Sequence, residues 1–413
     1  MATIHDVARQ AGVSAVTVSR VLNRSARVSP ATEEKVRRAM AELGYVPSSA
    51  ARSLRLRQTR TLALLVPDIT NPFWTTVARG VEDAAQSGGY SVFLGNTDEN
   101  PAKQQAYLTA LVGQRVDGAI VAPYDTNPAG LALLRQRHIP TVLIDRRVEG
   151  WQVDTVVGDS LAGACALVRH LIALGHRRIA MISGPASTTT AADRVAGYCL
   201  ALHQAGLPLE TELVRFGEYR PTVGERLALE LLALEPRPSA IFAANNLIAI
   251  GVIAAIGKAG LHIPDDVAVV AFDDLPDAAS VFPFLTVAVQ PAYEMGATTA
   301  RLLLNRLESG PGRHIQHIVF PTRLIVRRSC GSPLPPGQDM PPISLPLPAY
   351  SRCTPAPALP PTEVQQAHTL LQTLLAALPA VRLPADALAH SPRHPVSGPA
   401  PFVQETVPLS LKD

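Results

Sequence analysis

The first 46 residues place apolar side chains at helical spacing, and none of them alternates as a strand would. Thr3 is a capping residue, and Gly12 ends the helix that follows it. Ser14 begins a second helix. Pro30 begins a third, because the first helical turn tolerates a residue without an N–H. The pattern predicts three short helices around one small core.

From about residue 61 to residue 331, short apolar runs alternate with helical segments. The clearest runs lie at 61–66, 90–94, 118–122, 141–144, 178–182, 240–244 and 267–272. Strands buried on both faces have this pattern, and their alternation with helices indicates right-handed βαβ units in parallel sheets. The predicted fold class is therefore α/β and doubly wound. The length of this region favours two similar lobes with a ligand cleft between them.

These patterns divide the chain into four regions. They are a helical headpiece at 1–46, a hinge and linker at 47–60, an α/β core at 61–332 and a tail at 333–413. Within the core, we expect one lobe at 61–159 with 291–321, and another at 160–290 with 322–332. The tail holds 18 of the 37 prolines, so we expect it to be mostly linker or disordered chain.

Positive charge is concentrated at the front of the chain. Residues 1–60 carry a formal charge of +7, whereas the remaining residues carry −4, which gives the whole chain a net charge of only +3. The four cysteines stand far apart without a C-x-x-C pair, so we expect no metal site and no disulfide framework. We also expect no cofactor. The sequence contains no signal-peptide core and no apolar run of about 18 residues. Secretion and membrane insertion are therefore disfavoured, and a cytoplasmic location is expected.

The first two helices and the tight turn at Gly12 form a helix-turn-helix, whose second helix can enter the major groove of DNA. With Val18 in the core, the outer face of that helix presents Ala15, Val16 and Arg20. Arginine can contact guanine, and small apolar side chains can contact thymine methyl groups. Further candidates for DNA contact, mainly to phosphates, are Thr3, Ser14, Thr17, Ser19, Asn23, Arg24 and Arg27. The alternative is a helical bundle whose basic face is only solvated.

The run TIHDVARQAGVSAVTVSRVLN, followed by VSPATEEKV, ELGYVP and ARSL, resembles the DNA-binding headpiece of the lactose repressor/galactose repressor (LacI/GalR) family of bacterial transcription regulators. The resemblance continues through PDITNPFW, RVDGAIV, LGHRRIAMISG, AANN and VVAFDD to about residue 330. It implies a homodimer on a pseudo-palindromic DNA operator. It also implies a core like that of periplasmic sugar-binding proteins, which responds to a small effector.

Within 47–57, Pro47 is followed by the run 48–55, which is about two helical turns long. An isolated helix this short is marginal in water. We expect these residues to be disordered alone and to fold when two copies pair on DNA. By resemblance to the hinge helix of the family, Leu54 inserts into the minor groove, with Arg52 and Arg55 near the DNA backbone. The alternative is a flexible linker whose Leu54 packs against the core.

One proline-free stretch of the tail, 362–378, has the apolar spacing of a short Leu-rich helix. The positions spaced 3-4-3-4 are Val364, Ala367, Leu371, Leu374 and Leu378, which indicate a coiled-coil seam of two heptads. Some members of the family carry a C-terminal heptad segment, so a tetramerisation helix is one interpretation. A transient helix, or one that packs on its own core, is the other. We favour the second, because secure coiled coils need about three to four heptads.

Polar residues follow the predicted strands, at the ends where α/β proteins bind ligands. They are Asp145, Arg146, Asn245, Asp273 and Gln290, and Arg194 opens a helix after the loop that begins at Gly184. Aspartate accepts hydrogen bonds from sugar hydroxyls, whereas arginine and asparagine donate to the same oxygens. An aromatic ring stacks on the apolar face of a sugar, and Phe73 or Trp74, in the loop that includes Asn71, is the candidate.

Taken singly, each of these residues is more readily a loop or capping residue, but they share one placement. The resemblance implies sugar contacts for Asp145, Arg194, Asn245, Asp273 and Gln290, and Arg146 matches the ribose-type members. Asn246 and Ser160 depart from the family pattern, so fine specificity stays open. On this comparison a purine effector is less well supported.

The combined interpretation is a transcriptional regulator, most simply a repressor, whose operator affinity is controlled by a small effector, for which we expect a monosaccharide or a related sugar. A coupling of about 1–3 kcal/mol, typical of allostery, would change that affinity roughly 5- to 150-fold. The alternatives are a sugar-binding protein or sensor without a DNA-directed role, and a purine-responsive, corepressed regulator. No dinucleotide-binding, P-loop, hydrolase or zinc-protease motif occurs, so we expect no catalysis. As a DNA-binding regulator, the protein is expected to associate with the nucleoid.

Overall fold

The computed structural model describes residues 2–23, 28–45, 58–275, 284–310, 314–333 and 352–378. The predictions for the hinge at 47–57, and hence for Arg52, Leu54 and Arg55, lie outside these residues, as do those for Arg24 and Arg27. Within the described ranges, no helix is long and apolar enough to cross a lipid bilayer.

Helices and strands are numbered here in chain order. The helices are α1 (Ile4–Ala11), α2 (Ala15–Asn23), α3 (Pro30–Glu42), α4 (Pro72–Ser87), α5 (Pro101–Gln114), α6 (Ala132–Gln136), α7 (Ser160–Ala173), α8 (Thr189–Gln204), α9 (Pro221–Leu232), α10 (Asn246–Lys258), α11 (Ala292–Ser309) and α12 (Pro361–Ala377). The strands are β1 (Thr61–Val66), β2 (Ser91–Asn96), β3 (Gly118–Val121), β4 (Thr141–Ile144), β5 (Asp154–Gly158), β6 (Ile179–Ser183), β7 (Val214–Phe216), β8 (Ala240–Ala243), β9 (Ala268–Phe272), β10 (Thr286–Val289), β11 (His317–Phe320), β12 (Arg323–Val326) and β13 (Arg352–Pro355).

The headpiece is the predicted bundle of three helices, α1 to α3. Its core contains Val7, Val18 and Val36, one from each helix, and all three are fully buried. Gly12 ends α1 with φ +66°, a left-handed conformation that costs glycine little and lets the chain turn sharply into α2. The predictions for this region are confirmed in the number and order of the helices.

The rest of the chain forms two compact units, here called lobe 1 and lobe 2. Lobe 1 runs up to Asp159 and also takes in Asp273 and Val289–Arg323. Lobe 2 comprises Ser160–Phe272, Phe284–Ala288 and the described residues from Leu324 onward. The predicted division placed Asp273 and Gln290 in the second lobe, whereas the structure places both in lobe 1.

Lobe 1 contains a parallel sheet of six strands in the order β11-β5-β4-β3-β1-β2. Leu62 and Leu64 of β1 point into a core shared with α4 and α11. Ala63 and Leu65 point into the opposite core, which is shared with α5. This strand is buried on both faces, which explains why its sequence is an unbroken apolar run.

Lobe 2 contains a sheet of seven strands in the order β13-β12-β10-β9-β8-β6-β7. Its largest apolar cluster lies between the sheet and the helices α7, α8 and α12. The seven predicted strands are all present, with ends that shift by up to two residues, and the doubly wound α/β fold is confirmed. Strand β10 is the short apolar run that precedes Gln290. The strands β5, β7, β11, β12 and β13 were not predicted.

Two parts of the tail are folded elements of lobe 2, β13 and α12. The helix is the predicted exception to a mostly disordered tail, and it agrees with the favoured interpretation that it packs on its own core, whereas β13 was not predicted. The apolar positions of α12 are also not a free coiled-coil seam. Ala367, Leu371 and Leu374 are almost completely buried in the core of lobe 2. The apolar spacing predicted the helix correctly, but the helix packs within its own chain rather than presenting these residues to another.

Candidate functional site

The outer face of α2 is the candidate surface for reading DNA. Val16 is 60% exposed and Arg20 is also exposed, whereas Val18 between them is fully buried. Ala15 differs from the prediction, because it is only half-exposed and packs against the headpiece core. The exposed side chains of α2 on this face are thus those of Val16 and Arg20.

Two of the hydroxyl groups predicted to contact DNA, those of Thr3 and Ser14, also cap helices. The Thr17 N–H donates to Ser14 Oγ over 3.1 Å, and the hydroxyls of the same two residues lie 3.0 Å apart. The Thr3 N–H donates to Asp6 Oδ2 over 2.9 Å, and the Asp6 N–H donates to Thr3 Oγ1 over 3.3 Å, which completes a capping box. Such caps stabilise a helix by about 1 kcal/mol. Ser19 lies half-buried in α2, and Asn23 is its last residue.

Lobe 1 presents Asp145 directly after the last residue of β4. Asp145 has φ +66°, a conformation that costs residues other than glycine about 1 kcal/mol or more. Its N–H donates to Val156 O over 2.8 Å, which fixes it beside β5. The carboxylate is buried and lies 3.8 Å from Arg146 Nε. The sheet therefore holds a buried acidic group at the carboxyl end of β4.

Arg146 is held by a residue that the sequence reasoning missed. Its guanidinium donates to both carboxylate oxygens of Glu99, over 2.8 and 2.5 Å, and to Pro123 O over 3.0 Å. Arg146 is 3% exposed, so its charge is balanced inside the protein rather than by water. Glu99 lies 47 positions earlier, with φ +52°, and no short-range pattern marks it as the partner.

Asp273 and Gln290 are joined in lobe 1. Gln290 Nε2 donates a hydrogen bond to Asp273 Oδ1 over 2.9 Å. Asp273 has φ +62°, so it shares a positive φ with Asp145. Gly158 at the end of β5 makes this contact possible. A Cβ at that position would lie 1.8 Å from Gln290 Oε1. This glycine is a second residue that the sequence reasoning missed.

The predicted aromatic ring finds no support in the burial of the two candidates. Phe73 and Trp74 are 8% and 4% exposed and pack in the lobe 1 core with α11. Their rings meet edge to face, with centroids 5.0 Å apart. Asn71 caps α4, because its Oδ1 accepts from the Phe73 N–H over 3.0 Å. All three residues have a structural role in forming and anchoring α4.

Lobe 2 presents Arg194, which is the sixth residue of α8 rather than the residue that opens the helix. Its Nη1 donates to Ala244 O over 2.6 Å, just beyond the end of β8. Its guanidinium carbon lies 3.8 Å from the centroid of the Phe272 ring, at the end of β9. A cation over an aromatic face is favourable, and more so when it is desolvated. Arg194 is thus fixed at the carboxyl ends of two neighbouring strands.

Asn245 and Asn246 follow β8 and are both buried. Asn245 Oδ1 accepts from the Ile248 N–H over 2.8 Å and caps α10. The cap uses the carbonyl oxygen, and the amide NH2 of an asparagine can still donate to a ligand. Asn246 Oδ1 accepts from the Leu247 N–H, so this departure from the family pattern is also engaged with the backbone of α10.

Three buried hydroxyl groups of lobe 2 were not anticipated as site residues. Ser183 Oγ, Tyr219 OH and Ser160 Oγ have no hydrogen-bond partner among the described residues. The Tyr219 ring packs over Gly184, directly after Ser183, and Ser183 pairs in register with Phe216 of β7. Two of the three hydroxyls thus lie at the carboxyl ends of the neighbouring strands β6 and β7. An aromatic residue just after a strand could have indicated Tyr219, but the strand before it, β7, was not predicted from the sequence.

Comparison with known families covers both parts of the chain. The sequence model of the "Bacterial regulatory proteins, lacI family" matches residues 3–48. The model of the "Periplasmic binding proteins and sugar binding domain of LacI family" matches residues 59–327. The chain belongs to the LacI family.

Relatives of this LacI-family protein include the HTH-type transcriptional repressor PurR of Erwinia tasmaniensis, which is 38% identical over 331 residues. The ribose operon repressor of Halalkalibacterium halodurans is 38% identical over 329 residues. Each alignment covers 80% of this chain and 97% of the relative. Among solved structures, the lac repressor dimer bound to operator and an anti-inducer superimposes with a TM-score of 0.71 at 28% identity, covering 80% of this chain and 99% of that one.

The LacI-family protein described here is therefore a DNA-binding transcriptional repressor with an effector-binding core, and its control by a small molecule is allosteric. Family members bind operator DNA and small effectors and act as dimers. The relatives it resembles are transcriptional repressors rather than enzymes.

Proposed function

We propose that the effector of this repressor is a monosaccharide of the pentose class. The observation that carries this proposal is the pair Asp145 and Asp273, two buried carboxylates held at positive φ at the ends of strands. A carboxylate accepts hydrogen bonds from two adjacent hydroxyls, which is the donor pattern of a sugar. Strained backbone that persists in two such positions is typical of binding sites.

Lobe 1 offers N–H donors at the ends of its strands, from Arg146 and Gln290. Lobe 2 offers its own N–H donors, from Arg194 and Asn245. We further propose that the Tyr219 ring, rather than Phe73 or Trp74, meets the apolar face of the sugar. The similarity to a ribose operon repressor supports a pentose over a larger sugar.

An Arg194→Ala variant tests the effector site. We expect the affinity for D-ribose to fall about 10- to 150-fold, because the hydrogen bonds lost involve a charged donor. Binding to operator DNA without sugar should stay unchanged. Calorimetric titration with D-ribose and retention of a promoter fragment measure the two quantities. Arg177→Ala, which removes an exposed arginine, is the matched control. An Arg194→Ala protein that still responds to D-ribose would contradict the proposed site.

A purine base is the second candidate effector. The specific observation in its favour is that relatives of this chain include repressors named PurR. A planar base would use the Tyr219 ring and the Arg194 guanidinium, which already stacks on Phe272. Titration of the wild-type protein with guanine alongside D-ribose separates the candidates. Binding of guanine with no heat from D-ribose would replace the pentose proposal.

On the DNA side, we propose that Val16 and Arg20 contact base edges. The proposed phosphate contacts come from Thr3, Ser14, Thr17, Ser19, Asn23, Arg24 and Arg27. The hinge proposal for Arg52, Leu54 and Arg55 rests on sequence alone. Leu54→Ala should weaken specific binding and leave nonspecific binding intact, as measured by competition with an unrelated duplex. Equal loss on both duplexes would contradict a wedge in the minor groove.

We propose that the protein acts as a homodimer on a pseudo-palindromic operator, as a regulator and not a catalyst, at the nucleoid. A tetramer through 362–378 is not part of this proposal, because the apolar face of α12 is buried in its own lobe. Sedimentation of the full chain with and without operator DNA tests the dimer. A mass of four chains would contradict it.

A further inference from the structure

The C-terminal helix α12 covers α8, the helix that carries Arg194. Its buried face, formed by Ala367, Leu371, Leu374 and Leu375, enters the same apolar cluster as residues of α7 and α8. Val364 and Leu378 pack against the edge of that cluster. The helix is therefore an integral part of the lobe 2 core and not an appendage on its surface.

Polar contacts fix α12 along the length of α8. Glu363 Oε2 accepts from Gln204 Nε2 over 2.9 Å and from Arg169 Nη2 over 3.2 Å. Further along α12, His368 Nε2 lies 3.8 Å from Asp193 Oδ1. The early residue of α12 meets the end of α8, and the later one meets its first half, so the two helices run antiparallel. The last of these contacts reaches the residue directly before Arg194.

The burial of α8 shows the consequence. Every residue from Thr189 to Leu202 is buried. A helix on the face of a sheet ordinarily leaves one side to solvent, and its polar residues lie there. Here α12 takes the place of solvent on that side. The position of α8 over β8 and β9, where Arg194 meets Ala244 O and Phe272, therefore depends on packing from both sides.

This helix is an addition to the shared family architecture. The matched region of the core ends at residue 327, and α12 begins at Pro361. The aligned relatives are covered over 97% of their own length by 80% of this chain. The relatives therefore align with the part of lobe 2 that carries Arg194. Because almost all of their length is used in that alignment, little of it remains that could correspond to α12.

We propose that α12 is a positioning element of the effector site, which holds α8, and with it the Arg194 guanidinium, against the carboxyl ends of β8 and β9. The helix does not touch the effector. It acts through α8, and it raises effector affinity by keeping Arg194 in its binding geometry. The link to affinity rests on the proposed function, whereas the link from α12 to α8 does not.

Hydrogen–deuterium exchange of the full chain without ligand tests the link to α8. The variant Leu371→Asp/Leu374→Asp places two charges in the buried seam, and Gln372→Asp/Ala376→Asp places the same charges on the exposed side of α12. In the first variant we expect the amides of residues 189–204 to exchange at least about tenfold faster, with those of 246–258 unchanged. The control should match the wild type.

Fast exchange in 361–377 with unchanged exchange in 189–204 would overturn the proposal, and so would no change in either segment. If the seam variant unfolds all of lobe 2, a second variant decides. Glu363→Ala/His368→Ala removes only the polar contacts and leaves the leucines in place. We expect faster exchange at the two parts of α8 that these side chains contact, near 189–196 and near 201–204. Its absence in both parts would overturn the proposal.

Calorimetry with D-ribose tests the link to affinity in the same proteins. We expect the seam variant to bind D-ribose about tenfold more weakly than the wild type, with operator binding in the absence of sugar unchanged. Equal ribose affinity in a variant whose α8 exchanges faster would overturn the positioning role. A wild-type protein that binds no D-ribose would instead contradict the pentose proposal, and the exchange result would still decide whether α12 holds α8.

Discussion

The headpiece and the two lobes place their functional polar groups in opposite environments. In the headpiece, Val16 and Arg20 stand in solvent on a helix whose fold depends on other residues, such as Val18. In the lobes, Arg146 and Arg194 are each 3% exposed and make hydrogen bonds to fixed partners. DNA is a large external ligand that can meet an exposed side chain, whereas a small effector has to be enclosed.

Because of this difference, DNA binding by the headpiece is separate from its folding, whereas effector binding by the lobes is coupled to theirs. An exposed side chain of α2 can be removed without disturbing the headpiece core. A buried polar side chain of the lobes cannot be removed in this way, because its hydrogen-bond partner is then left buried without a partner or water to replace it. Substitutions in the lobes should therefore change stability and effector binding together, and those on α2 should change DNA binding alone.

The largest expected effect is that of Glu99→Ala. The substitution removes the two hydrogen bonds of the buried Arg146 guanidinium to Glu99 and leaves only the more distant carboxylate of Asp145, 3.8 Å from its Nε. Loss of one member of a buried ion pair costs about 3–5 kcal/mol. We expect the free energy of unfolding to fall by roughly that amount. Urea denaturation followed by circular dichroism measures it. Glu99→Gln, which keeps an acceptor but removes the charge, should lose less, and equal losses would mean that the charge does not matter.

Arg20→Ala should show the opposite behaviour in the headpiece. A lost bidentate contact to a base costs about 1–3 kcal/mol of specific binding, so we expect operator affinity to fall roughly 5- to 150-fold. The melting temperature should not change, because the side chain is exposed. Arg38→Ala on α3 removes the same charge from an exposed site and matches the electrostatic loss. If both variants weaken specific and nonspecific binding equally, Arg20 contacts only phosphates.

The same contrast explains what the sequence could predict. The capping box of Thr3 and the turn at Gly12 depend on residues within about one helical turn, and the headpiece matches those predictions. The strand ends that carry Asp145 and Asp273 were predicted from apolar runs. Their surroundings were not, because Glu99 lies 47 positions from Arg146, and Arg194 lies 50 positions from Ala244.

The tail illustrates the same limit. Leucines at heptad spacing predict a helix and an apolar face, and α12 has both. The spacing does not state which surface covers that face. Only the three-dimensional arrangement of α7 and α8 supplies the apolar surface that accepts Leu371 and Leu374. Tertiary packing decides such cases, because an apolar stripe fits any complementary surface.

Gly158→Ala should have a smaller effect, confined to the effector site. The new methyl group would occupy the position of Gln290 Oε1, so the glutamine has to move and lose its hydrogen bond to Asp273. One such hydrogen bond contributes about 0.5–1.5 kcal/mol, which corresponds to a loss of roughly 2- to 10-fold in D-ribose affinity. Calorimetry measures this loss.

Gly113→Ala is the matched control for that experiment, because nothing lies within 4 Å of a Cβ there. It should leave ribose affinity unchanged and stabilise α5 slightly, by up to about 1 kcal/mol. Unchanged ribose binding in Gly158→Ala would show that Gln290 does not contribute to the site. In that case the glycine would serve only the packing of β5 against α11.

The smallest expected effect concerns pH, and it separates the two regions again. Burial lowers the pKa of His170 and of His176 below the usual 6.5, and the mutual repulsion of the two rings lowers that of His170 further. The folded state therefore binds fewer protons than the unfolded state just below pH 6.5. We expect lobe 2 to lose stability as the pH falls through this range, until the folded-state pKa values are passed.

The stability of the headpiece should change only at lower pH, because the group that titrates there is a carboxyl group rather than a histidine. Hydrogen bonds from Thr3 hold the pKa of Asp6 below its usual 3.8, with a smaller contribution from Arg9. Its stabilising contribution is present above pH 3.8 and is lost only as the pH falls through the lowered pKa. Thermal melts between pH 7 and pH 5 should therefore weaken lobe 2 and leave the headpiece unchanged. His170→Gln should reduce this pH dependence, whereas His138→Asn, at an exposed position, should preserve it. A headpiece that melts earlier over the same interval would contradict the assignment, because no carboxylate with a lowered pKa titrates there.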